Sequence, residues 1–222
     1  FLVFSSICSV VSIFFHKFFK KGLSRVSSAS RRGFTALEML VVIGIFTLVT
    51  GVVMASLPQF REKTLLDLTA QQMATIIRQA QVYGLGTRSA GTGQYPSHGI
   101  NFDAGNDNKA MILFADANGD GKLTGNCSSG SECVERYVLQ GSVQIASVKT
   151  CAGGVCTTRN PLHIIFKRPN PEAIFYESVI PPITADYAKI CIQSTRDPSS
   201  YREIRVSNTG QIYARNNNVI CP

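Results

Sequence analysis

Histidine is scarce in this chain, and its scarcity excludes several kinds of chemistry. Only His16, His98 and His163 occur in 222 residues, each isolated from the others. No pair of cysteines has zinc-finger spacing or a companion histidine cluster. A glycine-rich phosphate loop is also missing, and no nucleophile stands beside a base, so catalysis is not expected. Internal repeats and low-complexity domains are absent too; the Gly-, Asn- and Ser-rich tracts at 84–93, 103–108 and 125–131 read as loops. With 45% hydrophobic and 16% charged residues the chain is not a disordered one, and its length suits one folded domain plus an anchoring element.

Acid is missing from residues 1–33, which carry Lys17, Lys20, Lys21, Arg25, Arg31 and Arg32. The formal charge of +8 is therefore concentrated there, and the 14 acidic residues nearly balance the remaining basic ones, at about +2. The basic character belongs to the N-terminal segment. Six of the seven cysteines lie after residue 120 as neighbours in sequence: Cys127 and Cys133, Cys151 and Cys156, Cys191 and Cys221. Local disulfides in an oxidising compartment fit this usage, although sequence leaves their connectivity open and reduced core cysteines are the alternative.

The run from Phe34 to Leu57 carries one charge and is long enough to cross a bilayer as a helix. Arg31 and Arg32 flank its N-terminal side, so the positive-inside rule holds that end in the cytoplasm and sends the rest across. The exception inside the run is Glu38. A carboxylate placed in a bilayer costs on the order of 2–3 kcal/mol or more, and such residues mark function through a specific partner.

Gly33, Phe34, Thr35, Ala36, Leu37 and Glu38, followed by an apolar run, resemble the class III signal of type IV pilins and of type II secretion pseudopilins. The resemblance implies cleavage by a prepilin peptidase between Gly33 and Phe34, and N-methylation of Phe34. It also implies that Glu38 pairs with the Phe34 amine during assembly, two charges being buried together more cheaply than singly. Residues 1–33 would then be a leader absent from the mature protein; its apolar "FLVFSSICSVVSIFF" suggests a start placed upstream of a short one.

Beyond the span, residues 58–86 read as the same helix continuing into the periplasm. Leu65, Leu68, Gln72, Ile76, Ala80 and Tyr83 form a stripe widened by Leu66, Met73 and Ile77. Pro58 is expected to kink or melt the helix where it leaves the membrane, and Gly84 and Gly86 to stop it. Gly44 and Gly51 would lie near one face, for close helix contact or merely tolerated. From residue 98 the period changes to short β-branched and aromatic runs: "HGINF", "KAMILFA", "VERYVLQ", "VQIASVK", "LHIIFK", "YAKICIQ", "YREIRVS" and "QIYAR". In "YREIRVS", Tyr201, Ile204 and Val206 are expected to face inward, and "SNTG" to turn a hairpin. The expected fold is α+β and pilin-like. A long N-terminal helix, its first half transmembrane, packs on an antiparallel sheet in a disulfide-braced domain spanning 87–222.

The order helix, "HGINF", then a strand running into "FADANGDGKLT" resembles the GspH/FimT group of minor pilins and pseudopilins. This implies a low-abundance, non-enzymatic subunit of the bacterial inner membrane, single-pass with a periplasmic C-terminal domain, that helps initiate a pilus. Its partners would be other minor and major pilins, prepilin peptidase, the inner-membrane assembly platform and the lipid bilayer. A type II secretion pseudopilin is the alternative. No cofactor is required, but Asp116, Asn118 and Asp120 match the first half of a calcium loop. An EF-hand would need glutamate where Cys127 stands, and a polar turn accounts for the same residues. A DNA-uptake pilin is the alternative of another class. The Gly-Arg-x-Arg element of DNA-binding relatives is replaced by Gly210, Gln211, Ile212 and Tyr213, which leaves Arg202, Arg205 and Arg215 for phosphate contacts. The Pro181–Pro182 segment reads as a stiff loop or a binding surface.

Overall fold

The computed structural model describes residues 35–86, 95–125, 127, 132–177 and 181–215. The chain divides into two compact units, Phe1–Thr50 and Gly51–Pro222. The described part of the first is the start of helix α1, which spans Ala36–Leu85. Leu40, Ile43 and Phe46 are exposed there, and the most apolar stretch has a mean hydropathy of 2.5, long and apolar enough to cross a membrane. The polar side chains in this stretch need no water. Thr47 and Thr50 donate their hydroxyls to the carbonyls of Ile43 and Phe46 at 3.0 and 2.8 Å. Pro58, expected to kink or melt the helix, lies within α1, which continues through it. The helix stops at Leu85, and the Gly86 N–H closes the last turn on Val82 O.

In the second unit α1 buries Leu66, Thr69, Ala70, Met73, Ala74, Ile76, Ile77, Ala80 and Gly84. This stripe is rotated from the expected one: Leu68 is 59% exposed and Gln72 is on the outer face. The Leu66 phase wins because it brings small residues inward and lets the helix approach the strands closely; the Leu68 phase would have buried Gln72.

Among the described residues, ten strands form two antiparallel sheets. They are β1 Ser97–Asp103, β2 Asp107–Asp116, β3 Cys133–Val138, β4 Val143–Ala152, β5 Val155–Thr158, β6 Leu162–Phe166, β7 Ala173–Tyr176, β8 Tyr187–Ser194, β9 Tyr201–Ser207 and β10 Ile212–Arg215. One sheet has the order β3-β2-β1-β6-β7, the other β10-β9-β8-β4-β5. The α+β class is as expected, with the strands divided between two sheets. Both contribute to one core with α1: Ile100, Phe102, Leu113, Ile164, Phe166 and Phe175 from the first, and Val148, Ile190, Ile204 and Val206 from the second. Strands β5 and β7 lie where no strand was expected, the latter in the segment running into Pro181 and Pro182. "SNTG" does turn β9 into β10, with Gly210 at φ +83°.

Polar contacts fix the helix in place. Glu62 accepts hydrogen bonds from the Ser142 and Ser194 hydroxyls and from Arg196 Nη1. These bonds, the hydroxyls first, hold its carboxyl below the ordinary value of 4.5. One turn on, Asp67 pairs with Arg202 of β9. Near the end of the helix, Arg78 donates to Ile212 O at 2.8 Å, and Gly84 lies against the backbone of Phe166.

Candidate functional site

The start of α1 is built by a cap. Thr35 Oγ1 accepts the Glu38 N–H at 3.2 Å, the first half of a Thr-x-x-Glu capping box, and an acidic residue in the first turn suits the positive end of the helix. The Glu38 carboxylate itself has no partner among the described residues. Gly33 and Phe34 lie outside them.

A denser polar constellation follows β2. Asp116 ends that strand, and the loop Ala117–Gly125 bends back through Gly119, Gly121 and Gly125, all at positive φ. The loop is held by carboxylates accepting backbone N–H groups. Gly121 donates to Asp116 Oδ2 at 3.2 Å and Lys122 to Asp120 Oδ1 at 2.9 Å. Ala117 and Asn118 both donate to Glu132 Oε1, and Thr124 donates to Oε2 at 2.9 Å. Leu123 N donates to His163 Nδ1 at 3.3 Å, which ties the loop to β6. Burial pushes His163 down to about 4, so at neutral pH its ring is uncharged and Nδ1 is an acceptor. The isolated core histidine of the sequence is thus a strut for this loop.

Asp116, Asp120 and Glu132 each offer a carboxylate oxygen, and the three oxygens lie within 4.8 Å of one another. Asp116 is 6% exposed, and its Oδ1 has no hydrogen-bond partner. An orphaned buried acceptor costs about 1–3 kcal/mol. Burial raises the Asp116 carboxyl above its ordinary value against the pull of the Gly121 N–H, and the neighbouring charge of Glu132 adds to the rise. Asn118, expected as a ligand between the two aspartates, is engaged within the loop: its Oδ1 accepts Asp120 N–H at 2.9 Å and its Nδ2 donates to Thr124 Oγ1 at 3.0 Å. The third carboxylate is Glu132, which the sequence reading missed. Two features bring it in: Ala115 N donates to Glu132 O at 2.9 Å, extending the β2–β3 ladder, and the Cys127–Cys133 disulfide closes the chain beside it.

A second disulfide, Cys151–Cys156, crosses the β4–β5 hairpin. Cys191 is buried and also disulfide-bonded, while Cys221, the partner expected for it, lies outside the described residues.

Of the three arginines proposed for phosphate contacts, Arg205 and Arg215 both reach the Tyr213 ring, at 5.8 and 6.0 Å, while Arg202 lies on the opposite face of β9. Arg202 is 9% exposed and its guanidinium is spent on Asp67 and on Tyr201 O. It holds the inward position expected for Tyr201, because period two places residue 201 on the face opposite Ile204 and Val206. Arg205 lies on the other face, donates to Glu203 Oε1 at 2.9 Å and stacks over Tyr187 at 4.1 Å. Arg215 is exposed, with its guanidinium 6.0 Å from the Tyr213 ring centre.

No family model, curated protein or solved structure matches the chain.

Proposed function

We propose that the chain is a minor subunit of a type IV pilus, a structural rather than catalytic protein that helps to initiate the filament. The observation that carries this reading is one helix with two characters. Its first half is apolar, exposed and interrupted by the single carboxylate of Glu38, and its second half is a core element of a disulfide-bonded β domain. A helix of that kind can enter a membrane, leave it into a bundle of like helices and carry its domain along. Glu38 fits the demand for register: in an apolar bundle its charge is tolerable only beside a cation, and the amine of a newly cleaved Phe34 would supply one. The subunit would sit in the bacterial inner membrane with its C-terminal domain in the periplasm before assembly. A DNA-receptor role draws less support, since Arg202 is spent on Asp67 and Arg205 shares the Glu203 carboxylate with Lys189.

The test is a count of surface pili by electron microscopy in cells lacking the gene, beside complemented strains carrying the wild type or Glu38→Gln. Few or no pili in the deletion and in the Glu38→Gln strain, with leader cleavage intact, supports the reading. Normal pilus numbers would move the assignment to a type II secretion pseudopilus, with protein export the next assay.

A further inference from the structure

The β2–β3 loop is built as a turn, but a turn explains only part of it. Asp116 Oδ2, Asp120 Oδ1 and both oxygens of Glu132 accept backbone N–H groups, as a loop without an ion requires. Asp116 Oδ1 is different: it belongs to a residue 94% buried at the end of an apolar strand, it takes no hydrogen bond, and its carboxylate converges with two others. Three like charges brought this close repel, and a turn alone would be better served by asparagine. Donors within 4.8 Å of one another are what a cation with ligand distances of about 2.3–2.6 Å bridges.

We infer that Asp116, Asp120 and Glu132 form a calcium site, with Glu132 delivered from beyond the loop. All three donors are hard oxygens, and among the described residues no histidine or free thiol joins them, which selects against zinc and the later transition metals. The irregular arrangement suits calcium better than magnesium, which demands near-ideal octahedral geometry and keeps most of its water. The site differs from an EF-hand in its last ligand. There the closing glutamate lies within one continuous loop; here it enters with β3, and the Cys127–Cys133 bond shortens the path that brings it back. With three carboxylates on a largely exposed loop, the affinity falls in the range of extracellular modules, about 10⁻⁴–10⁻³ M.

Tyr176 provides the readout. Its ring lies over Gly121, 2.6 Å from where a Cβ would stand, and the charges of Asp116 and Asp120 reach its hydroxyl. The chain has no tryptophan to compete as a light donor. The experiment uses the full chain in detergent, stripped with a chelator and titrated with terbium while tyrosine-sensitised emission is followed, then chased with calcium. Emission that saturates and is displaced by calcium is expected. Asp120→Asn and Asp116→Asn keep the acceptor oxygens for Lys122 and Gly121, so the turn survives; each weakens binding at least about tenfold and abolishes the rise in Tm that calcium gives the wild type. Tyr176→Phe should dim the emission and leave the calcium-dependent rise in Tm intact, which places the ion at this loop even if an aspartate variant folds poorly. Absence of sensitised emission, or emission and stabilisation unchanged in both aspartate variants, overturns the assignment.

Discussion

Replacing Gly84 by alanine sets two effects of known size against each other. Alanine is the better helix former by about 0.8–1.0 kcal/mol, so on propensity alone the change stabilises α1. Gly84, however, is buried against β6. A Cβ built there would fall inside contact distance of Phe166 O and 3.0 Å from both its carbonyl carbon and its Cβ. Backbone at the end of β6, paired there with both β1 and β7, cannot swing aside like a flexible side chain, so the helix must shift, and overpacking of this kind costs about 1–3 kcal/mol. Because the obstacle is backbone, the upper part of that range applies, about 2–3 kcal/mol, and the steric effect wins by about 1–2 kcal/mol. For a chain of this size the Tm should fall by about 3–6 °C, measured on the full chain in detergent by near-UV circular dichroism. Gly44→Ala is the control, because no atom lies within 4 Å of its added Cβ and only the propensity gain remains. An unchanged or higher Tm for Gly84→Ala would refute the close approach of α1 to β6 as a constraint.

Removing Asp67 leaves Arg202 buried without its counterion and should cost about 1–3 kcal/mol in urea unfolding. Arg202→Met, which leaves an aspartate already 36% exposed, should cost less, and the reverse order would count against a matched pair. Glu62 titrates below its ordinary 4.5 in the folded state, so its contribution is full above that pH and is lost as pH falls through the lowered value. Between pH 5 and 3, Glu62→Gln should therefore show a shallower fall in Tm than the wild type, with an equal slope opposing this account. Opening Cys151–Cys156 with paired serines releases a loop of a few residues; about 2 kcal/mol of stability should go, read from the shift in urea midpoint.

The helix and eight of the strands were legible because their signals are local: apolar runs, period two, and punctuation by Gly, Asn and Pro. The partition into two sheets was not, since alternation says which face of a strand is buried but not which neighbour it takes. β1 finds β6 and β4 finds β8 across long stretches of chain. β5 was missed because it is four residues long and exposed throughout, and β7 because it is equally short and bounded by prolines. At the acidic loop the two aspartates were visible by spacing, whereas Glu132 lies past a Ser- and Gly-rich tract and arrives only through strand pairing. The cysteine pair was the available clue: Cys127 and Cys133 joined would return the chain to the point where β3 begins, beside the end of β2. Arg202 was misplaced for the opposite reason, an inward charge being implausible until Asp67 is seen facing it across the fold.

The outermost strands of both sheets are short. Among the described residues β3 has 6 and β5, β7 and β10 have 4 each, whereas β2 and β4, inside the sheets, run to 10. Crowded, aligned copies of a β-rich protein risk zipping together along their open margins into aggregates that no export machine can use. Margins of four to six residues offer too few unpaired amides to template such growth. In the filament proposed above, neighbouring subunits would then recognise one another by the shape and chemistry of their side chains and not by a backbone ladder that every copy shares.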